Sequence, residues 1–291
     1  RGYFRYFPLR TGKVTAWRLL ASHLWWLESP TNAVTKFGST LQVDARDICG
    51  RFIYYFGIWE PNLTAWIRSR LKPGDCFVDV GANVGYFSLL ASTLVGDRGK
   101  VVSVEAVPRT FEMLTANLEA NGASNTRAVN VAAWDKEETL SFFVSPDTIG
   151  GTSTAMAAQA QRWKLESRCS VRGAPLGSIL TADEIAAARL IKIDVEGAES
   201  HVIAGLELIH ATGRGDLEFM VEISMSAFEE ITDSFRKRGL FPYRIQNDYR
   251  AAAYIGESSS HHRRPYRLEA APQDVTEVDV IFSRVDAAWL V

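Results

Sequence analysis

The stretch from Cys76 to Tyr86, Cys-Phe-Val-Asp-Val-Gly-Ala-Asn-Val-Gly-Tyr, constrains this chain more than any other. Cys76 to Val80 is a short run of mostly apolar, β-favouring residues, the pattern of a strand buried on both faces of a parallel sheet. Gly81 and Gly85 bracket a tight turn, and Tyr86 to Leu94 reads as the helix that follows. Without side-chain bulk the backbone can approach a ligand closely, and the first N–H groups of a helix have no partner within it. Asp79 stands at the strand's carboxyl end, where open α/β sheets bind their ligands.

The spacing narrows the ligand. A dinucleotide turn reads Gly-x-Gly-x-x-Gly and presents a helix dipole to pyrophosphate. Here the order is Asp-x-Gly-x-x-x-Gly, with Asn83 where a middle glycine would stand. A carboxylate in the turn repels phosphate but suits an amine or a hydroxyl. S-adenosylmethionine, with ammonium, sulfonium and ribose and no phosphate, matches that chemistry. Glu105 ends an expected second strand, Lys100 to Glu105, and lies 24 residues past Gly81, a suitable distance for an acid that accepts both ribose hydroxyls.

Around this centre the chain reads as alternating elements. Thr40 to Val43 and Phe52 to Phe56 are expected as strands around a turn at 44–50, and Pro61 opens a helix at its first position. Leu63, Trp66, Ile67 and Leu71 give that helix an apolar face. Thr110 to Asn121 is a helix stopped by Gly122. Thr126 to Ala132 is a third strand, with Thr139 to Val144 expected to pair with its extension. Residues 145–174 form a Gly/Ser/Thr/Ala-rich excursion with no clear period.

Thr181 to Glu184 matches a capping box, and Leu190 to Asp194 is a fourth strand that ends in a carboxylate. Val202, Ile203, Leu206 and Ile209 mark the inward face of the next helix, and Leu217 to Ile223 is a fifth strand with Glu222 near its end. A helix capped by Ser226 and Glu229 runs to Arg238, and Tyr243 to Gln246 and Val278 to Ser283 supply two last strands. The alternation from residue 76 onward implies one doubly wound α/β domain. The expected organisation is a basic, aromatic N-terminal segment (1–35), a hairpin and helix (36–71), and the core (72–291).

Composition excludes some partners. With 291 residues, 47% hydrophobic and a net charge of −2, the chain can bury a large core and is no electrostatic nucleic-acid binder. Three widely spaced cysteines (Cys49, Cys76, Cys169) without a metal-type pair fit a reduced, cytoplasmic setting. Residues 1–27 carry five basic and seven aromatic residues and no acid, with Val14, Trp17, Leu20, Ala21, Leu24 and Leu27 at helical spacing. Such a helix packs on its own domain or on a second subunit, or lies peripherally on a membrane surface. Packing is the preferred expectation, and the oligomeric state is left open.

Three blocks together resemble the FkbM family of class I S-adenosylmethionine-dependent methyltransferases: Phe77 to Tyr86, Val102-Ser-Val-Glu-Ala106, and Ile191-Lys-Ile-Asp-Val-Glu-Gly-Ala-Glu199. Gly57-Ile-Trp-Glu-Pro61 is similar too, whereas Leu176-Gly177 departs from the Leu-Asp that family members often carry. The resemblance spans roughly 36–285. It implies a Rossmann-like, seven-stranded, mostly parallel sheet of order 3-2-1-4-5-7-6, last strand antiparallel, with helices on both faces. It also implies methyl transfer to a hydroxyl of a sugar, glycolipid or polyketide-like acceptor.

On that resemblance Asp79, Gly81, Ala82, Asn83 and Gly85 hold the methionine end of the cofactor. Glu105, followed by Ala106, takes the ribose, and Val131 and Ala132 border the adenine. Asp194 sits where the reactive methyl belongs and either orients the cofactor's ammonium or faces the acceptor. An alkyl hydroxyl must give up a proton, and Asp194, Glu196 and Glu222 are the candidate bases. They could alternatively hold a divalent metal, a reading not preferred because strand-end acids do not by themselves define a metal site.

Glu199 reads as a helix N-terminal acid and His201 as a surface histidine. His261, His262, Arg263, Arg264 and Arg267 belong to a lid or to a solvated basic loop. Two rivals stand beside this: a nicotinamide-dependent oxidoreductase, since Glu105 could hold an NAD ribose, and a non-catalytic ligand-binding module of the same fold.

Overall fold

The central sheet grows in both directions from Cys76–Val80, as a strand buried on both faces requires. The computed structural model describes residue 4 and residues 12–20, 29–145, 153–165, 167–255 and 264–290. In chain order the strands are β1 (Thr31–Val34), β2 (Thr40–Val43), β3 (Cys76–Val80), β4 (Lys100–Glu105), β5 (Thr126–Asn130), β6 (Ala132–Trp134) and β7 (Glu138–Val144). Then follow β8 (Ser153–Thr154), β9 (Ser167–Pro175), β10 (Ala188–Ile193), β11 (Glu218–Ser224), β12 (Phe241–Ile245), β13 (Tyr266–Arg267) and β14 (Glu277–Ser283).

The large sheet has the order β13-β12-β14-β11-β10-β3-β4-β5. Numbered along the core, its first seven strands run 3-2-1-4-5-7-6, and β14 is antiparallel to both neighbours. That is the doubly wound architecture expected, with the two-residue β13 added at one edge. The order reverses between β3 and β10, which opens a crevice at the strands' carboxyl ends.

Register decides which side chains share that rim. Val80 lies beside Val104 and Ile193, Ile193 beside Val221, and Glu222 beside Asp279. One residue beyond the paired valines and isoleucine, Glu105, Gly81 and Asp194 therefore line up with Glu222 and Asp279. Because side chains alternate with period two, the row faces the same side as Asp79 and Lys192. Helices Ile48–Phe56, Pro61–Arg70 and Tyr86–Val95 pack on that side, around Ile53, Leu63, Ile67, Leu90, Met220 and Ile281. Val202, Leu206, Phe228 and Phe235 fill the other face.

Several local expectations are corrected. Phe52 to Phe56 is not a strand but the end of helix Ile48–Phe56, because Asp47 caps that helix by accepting from the Gly50 amide and Phe52, Ile53 and Phe56 bury one apolar face. The hairpin partner of β2 is Thr31–Val34, so the hairpin starts ahead of residue 36 and two helices follow it. Buried Asn117 clamps it to the core, accepting from Gln42 N at 2.7 Å and donating to Gln42 O and to Val84 O of the central turn. β5 stops at Asn130, and its continuation β6 crosses into a second sheet, β6-β9-β7-β8. There β7 pairs with β8 and β9 and not with β6.

The excursion 145–174 thus holds a nine-residue strand and a helix, Ala157–Trp163, while 146–152 lie outside the described residues. Thr181 forms both halves of its capping box, but Ser226 caps nothing: Ala227 is the N-cap of helix Phe228–Arg236 and makes no side-chain bond. Val202, Ile203, Leu206 and Ile209 are buried as expected, on two short helices interrupted at Gly205. Trp17 of helix Lys13–Leu20 packs edge-on against Phe52 and Tyr55, so this tryptophan faces its own domain. The other N-terminal tryptophans, Trp25 and Trp26, lie outside the described residues, as do Ala21, Leu24 and Leu27. Among the described residues no helix is long and apolar enough to cross a membrane.

Candidate functional site

The turn after β3 uses its own amides. Gly81 N and Ala82 N both donate to Val104 O at 2.9 and 3.0 Å, and Gly85 N donates to Ala82 O at 2.9 Å. Asn83 N donates to Glu105 Oε2 at 2.9 Å, and Val107 N reaches Oε1 of the same carboxylate at 2.9 Å. A phosphate loop aims such N–H groups at its ligand; here the turn's four, of Gly81, Ala82, Asn83 and Gly85, are already bonded. Each Glu105 oxygen keeps a further lone pair for a hydroxyl donor. Burial pushes Glu105 up to about 7, against the two amide bonds that pull it down.

Gly81 is required where the chain crosses Asp194. It has φ 78°, and a Cβ there would stand 1.8 Å from the Asp194 carbonyl oxygen. This contact draws the ends of β3 and β10 together and brings Asp194 to the mouth of the crevice. The crevice holds about 710 Å³ of empty space, counting the part open to solvent at its mouth. Val104, Val131, Ala132 and Phe142 form an apolar wall, and Glu105, Asn83, Asp194 and Glu196 supply polar groups. Gly81 and Ala106 also line it.

Asp79 does not line it. It is buried behind the turn, where Oδ2 accepts from Ser88 Oγ at 2.6 Å and Oδ1 lies 3.7 Å from Lys192 Nζ. Ala82 and Gly85 likewise shape the turn rather than the wall. Glu222 stands one strand beyond Asp194, next to Asp279.

The acids beyond Asp194 are crowded. Burial, with Asp194 next in weight, raises Glu196 to about 8. Burial and the Asp194, Asp279 and Glu196 carboxylates push Glu222 well above the carboxylate range. Glu196 also holds a left-handed φ of 57°, a strained state for a non-glycine residue, and its carbonyl accepts from Thr154 Oγ1 of β8 at 2.8 Å. Glu199 opens helix Glu199–Ala204, as a helix N-terminal acid should, and is buried there, with Oε1 accepting from Gly197 N at 2.8 Å.

Three partners escaped the sequence. Glu60, the buried N-cap of helix Pro61–Arg70, accepts from Tyr249 OH at 2.7 Å. Burial and the Asp279 and Asp194 carboxylates push it well up. Asp279 accepts from Asn247 Nδ2 at 2.8 Å, and burial holds it at about 7. Lys192 donates to Asp194 Oδ2 at 3.0 Å. The similar block Gly57–Pro61 was the one signal for Glu60; only register could reveal Asp279.

His201 stacks on Trp134 at 3.8 Å and lies 3.3 Å from Asp135 Oδ2, so it is half-exposed but not without partners. Arg267 sits 3.9 Å over the Phe241 ring and pairs with Asp286 at 2.8 Å, a structural position rather than a lid. Arg264 is exposed, and His261, His262 and Arg263 lie outside the described residues. Among the described residues no group of three or more His, Cys, Asp or Glu side chains is arranged to hold a metal ion.

A stability test follows from the raised acids. Glu105, Glu199, Asp279 and Asp47 at about 7 and Glu196 at about 8 bind protons in the folded state that the unfolded chain releases near pH 4 to 5. Between those limits the folded state holds more protons, so stability falls as pH rises. Thermal unfolding of the cofactor-free protein should drop by several degrees between about pH 5 and about pH 8. A rising or flat profile would contradict the burial of these carboxyls.

The family model described as the methyltransferase FkbM domain matches residues 79–241. The chain belongs to the FkbM methyltransferase family. The 31-O-demethyl-FK506 methyltransferase FkbM of Streptomyces tacrolimicus is 33% identical over 47% of this chain and 62% of its own length. A probable cobalt-precorrin-6B C(15)-methyltransferase (decarboxylating) of Sulfolobus acidocaldarius is 31% identical over 32% of this chain and 48% of its own. This FkbM-family chain thus spans only part of the length of the curated relatives it matches. The crystal structure of methyltransferase FkbM from Methylobacillus flagellatus KT superposes with a TM-score of 0.42 at 16% identity, covering 82% of this chain and 54% of that one.

Proposed function

We propose that this chain is an S-adenosylmethionine-dependent methyltransferase that methylates a hydroxyl of a sugar, glycolipid or polyketide-like acceptor. The observation that carries the cofactor is the pairing of engaged turn amides with a ribose-ready Glu105. A pyrophosphate would find the turn N–H groups already bonded and a carboxylate beside them, which disfavours a nicotinamide dinucleotide. A nucleoside finds two carboxylate lone pairs and an apolar wall of Val104, Val131, Ala132 and Phe142. The Streptomyces relative's name, a demethyl-FK506 methyltransferase, supports oxygen as the acceptor atom.

When bound, the cofactor supplies an electrophilic methyl group on a sulfonium. Glu105 holds the ribose, Asn83 and the Gly81 turn fix the amino-acid end, and Val131 and Ala132 flank the base. Asp194 faces the methyl position and takes the hydroxyl proton, with Glu196 and Glu222 as further candidate bases. In-line displacement gains most of its rate from such positioning.

Calorimetry with S-adenosylmethionine and with NAD tests the cofactor: tight NAD binding alone would reverse it. Glu105→Ala should weaken S-adenosylmethionine binding at least tenfold, since a hydrogen bond to a charged group contributes about 1.5–3 kcal/mol. An unchanged dissociation constant would remove Glu105 from the ribose. A screen of hydroxylated acceptors reporting S-adenosylhomocysteine release, with and without chelator, tests acceptor and metal together. No turnover on any acceptor, with binding intact, would favour a non-catalytic module.

A further inference from the structure

We propose that Lys192 is the positioning residue of this site, a buried cation that fixes one oxygen of Asp194 and neutralises the acids around it, so that Asp194 is the carboxylate that acts. The inference rests on the methyltransferase reading above.

Lys192 is 2% exposed and lies mid-strand, beside Asp79 of β3 and Met220 of β11 in the same cross-strand row. The row is polar on one side, with Ser103, Asp79 and Lys192, and apolar on the other, with Met220, Ile281 and Tyr243. A lysine so placed adds little to stability, because well-packed apolar residues in place of buried ion pairs are often at least as stable. Its charge needs another reason.

Its contacts supply one. Nζ donates to Asp194 Oδ2 at 3.0 Å, stands 3.7 Å from Asp79 Oδ1, and lies 5.3 Å over the Phe87 ring. Ser103 donates to Ser88, and Ser88 to Asp79, so a chain of hydroxyls locks Asp79 from behind. Lys192 then links that locked carboxylate to Asp194, whose side chain is 29% exposed at the crevice. With Oδ2 held, Oδ1 is the oxygen left for cofactor or acceptor.

The charges facing Lys192 come from every neighbouring element. Burial pulls its ammonium down, but Asp194, Asp79 and Glu60 together push it above the ordinary lysine range. In return it draws down Glu105 of β4, Asp279 of β14, Glu196 after β10, and Cys49 of helix Ile48–Phe56. Of the rim acids, Asp194 alone among the described residues accepts a hydrogen bond from a cationic side chain.

The test is the pH dependence of S-adenosylmethionine binding by calorimetry, which needs no acceptor. Below its midpoint, affinity falls about tenfold per pH unit for each carboxyl that must ionise. Lys192→Met should move that midpoint upward by about one to three pH units, the range by which a nearby opposite charge shifts an acid. Lys192→Arg, which keeps the charge at a different shape, should restore the midpoint even where thermal stability drops. The double variant Asp79→Asn/Lys192→Met removes the unpaired buried acid and keeps the test open if Lys192→Met alone does not fold.

A midpoint unmoved in Lys192→Met or the double variant, with only thermal stability lowered, makes Lys192 structural and overturns the proposal. Wild-type protein that binds no S-adenosylmethionine overturns the methyltransferase reading instead.

Discussion

Gly81→Ala should abolish measurable cofactor binding and destabilise the fold by about 3–5 kcal/mol, combining left-handed backbone strain with forced overpacking. The methyl group would stand 1.8 Å from the Asp194 carbonyl oxygen and 2.9 Å from its carbon, both backbone atoms that no rotamer change can remove. Relief requires β3 and β10 to part, which moves Asp194 and breaks the amide bonds to Val104 O. Gly122→Ala is the control: it too has a positive φ, 62°, but nothing within 4 Å of its Cβ, so only the backbone strain of about 1 kcal/mol applies. Thermal unfolding and calorimetry on both variants check the pair. Equal, small losses in the two would mean that the crossing is looser than its geometry.

Asp194→Asn should lower S-adenosylhomocysteine release by about 10²–10⁴-fold, the usual contribution of a positioned base, and lower cofactor affinity far less. The substitution keeps the shape and an oxygen for Lys192 but removes the charge that receives the proton. Steady-state turnover and calorimetry measured on one sample separate the two roles. Equal losses would make Asp194 a cofactor anchor. A comparable fall in Glu196→Gln or Glu222→Gln with Asp194→Asn mild would transfer the base role along the rim.

Much of this architecture was legible because local and long-range signals agreed. β3, β4 and the Thr181 cap match their patterns, since period and turn chemistry there are unopposed. Phe52 to Phe56 misled because aromatic residues favour strands, while a cap at Asp47 and packing against Trp17 and Tyr254 hold them helical. The excursion 145–174 hid β9, whose Arg and Ser residues alternate on a strand paired to β6 and β7 only through distant sequence.

In the site, Glu105 and Asp194, picked out by spacing and strand-end position, both line the crevice. Asp79, expected to hold the methionine end of the cofactor, is buried behind the turn with Ser88 and Lys192. Strand-end position reveals that a side chain is near a crevice; which way it faces depends on cross-strand rows, and those depend on pairing that no single segment encodes.

One wall of the crevice comes from a different sheet from the one that carries the acids. β6, β7 and β8 provide Ala132, Trp134, Phe142 and Ser153 to the crevice, while Lys192 belongs to β10 and Asp194 follows its last residue. Thr154 of β8 donates to the Glu196 carbonyl, so this small awning is tied to the charged floor, and a change in one is felt in the other.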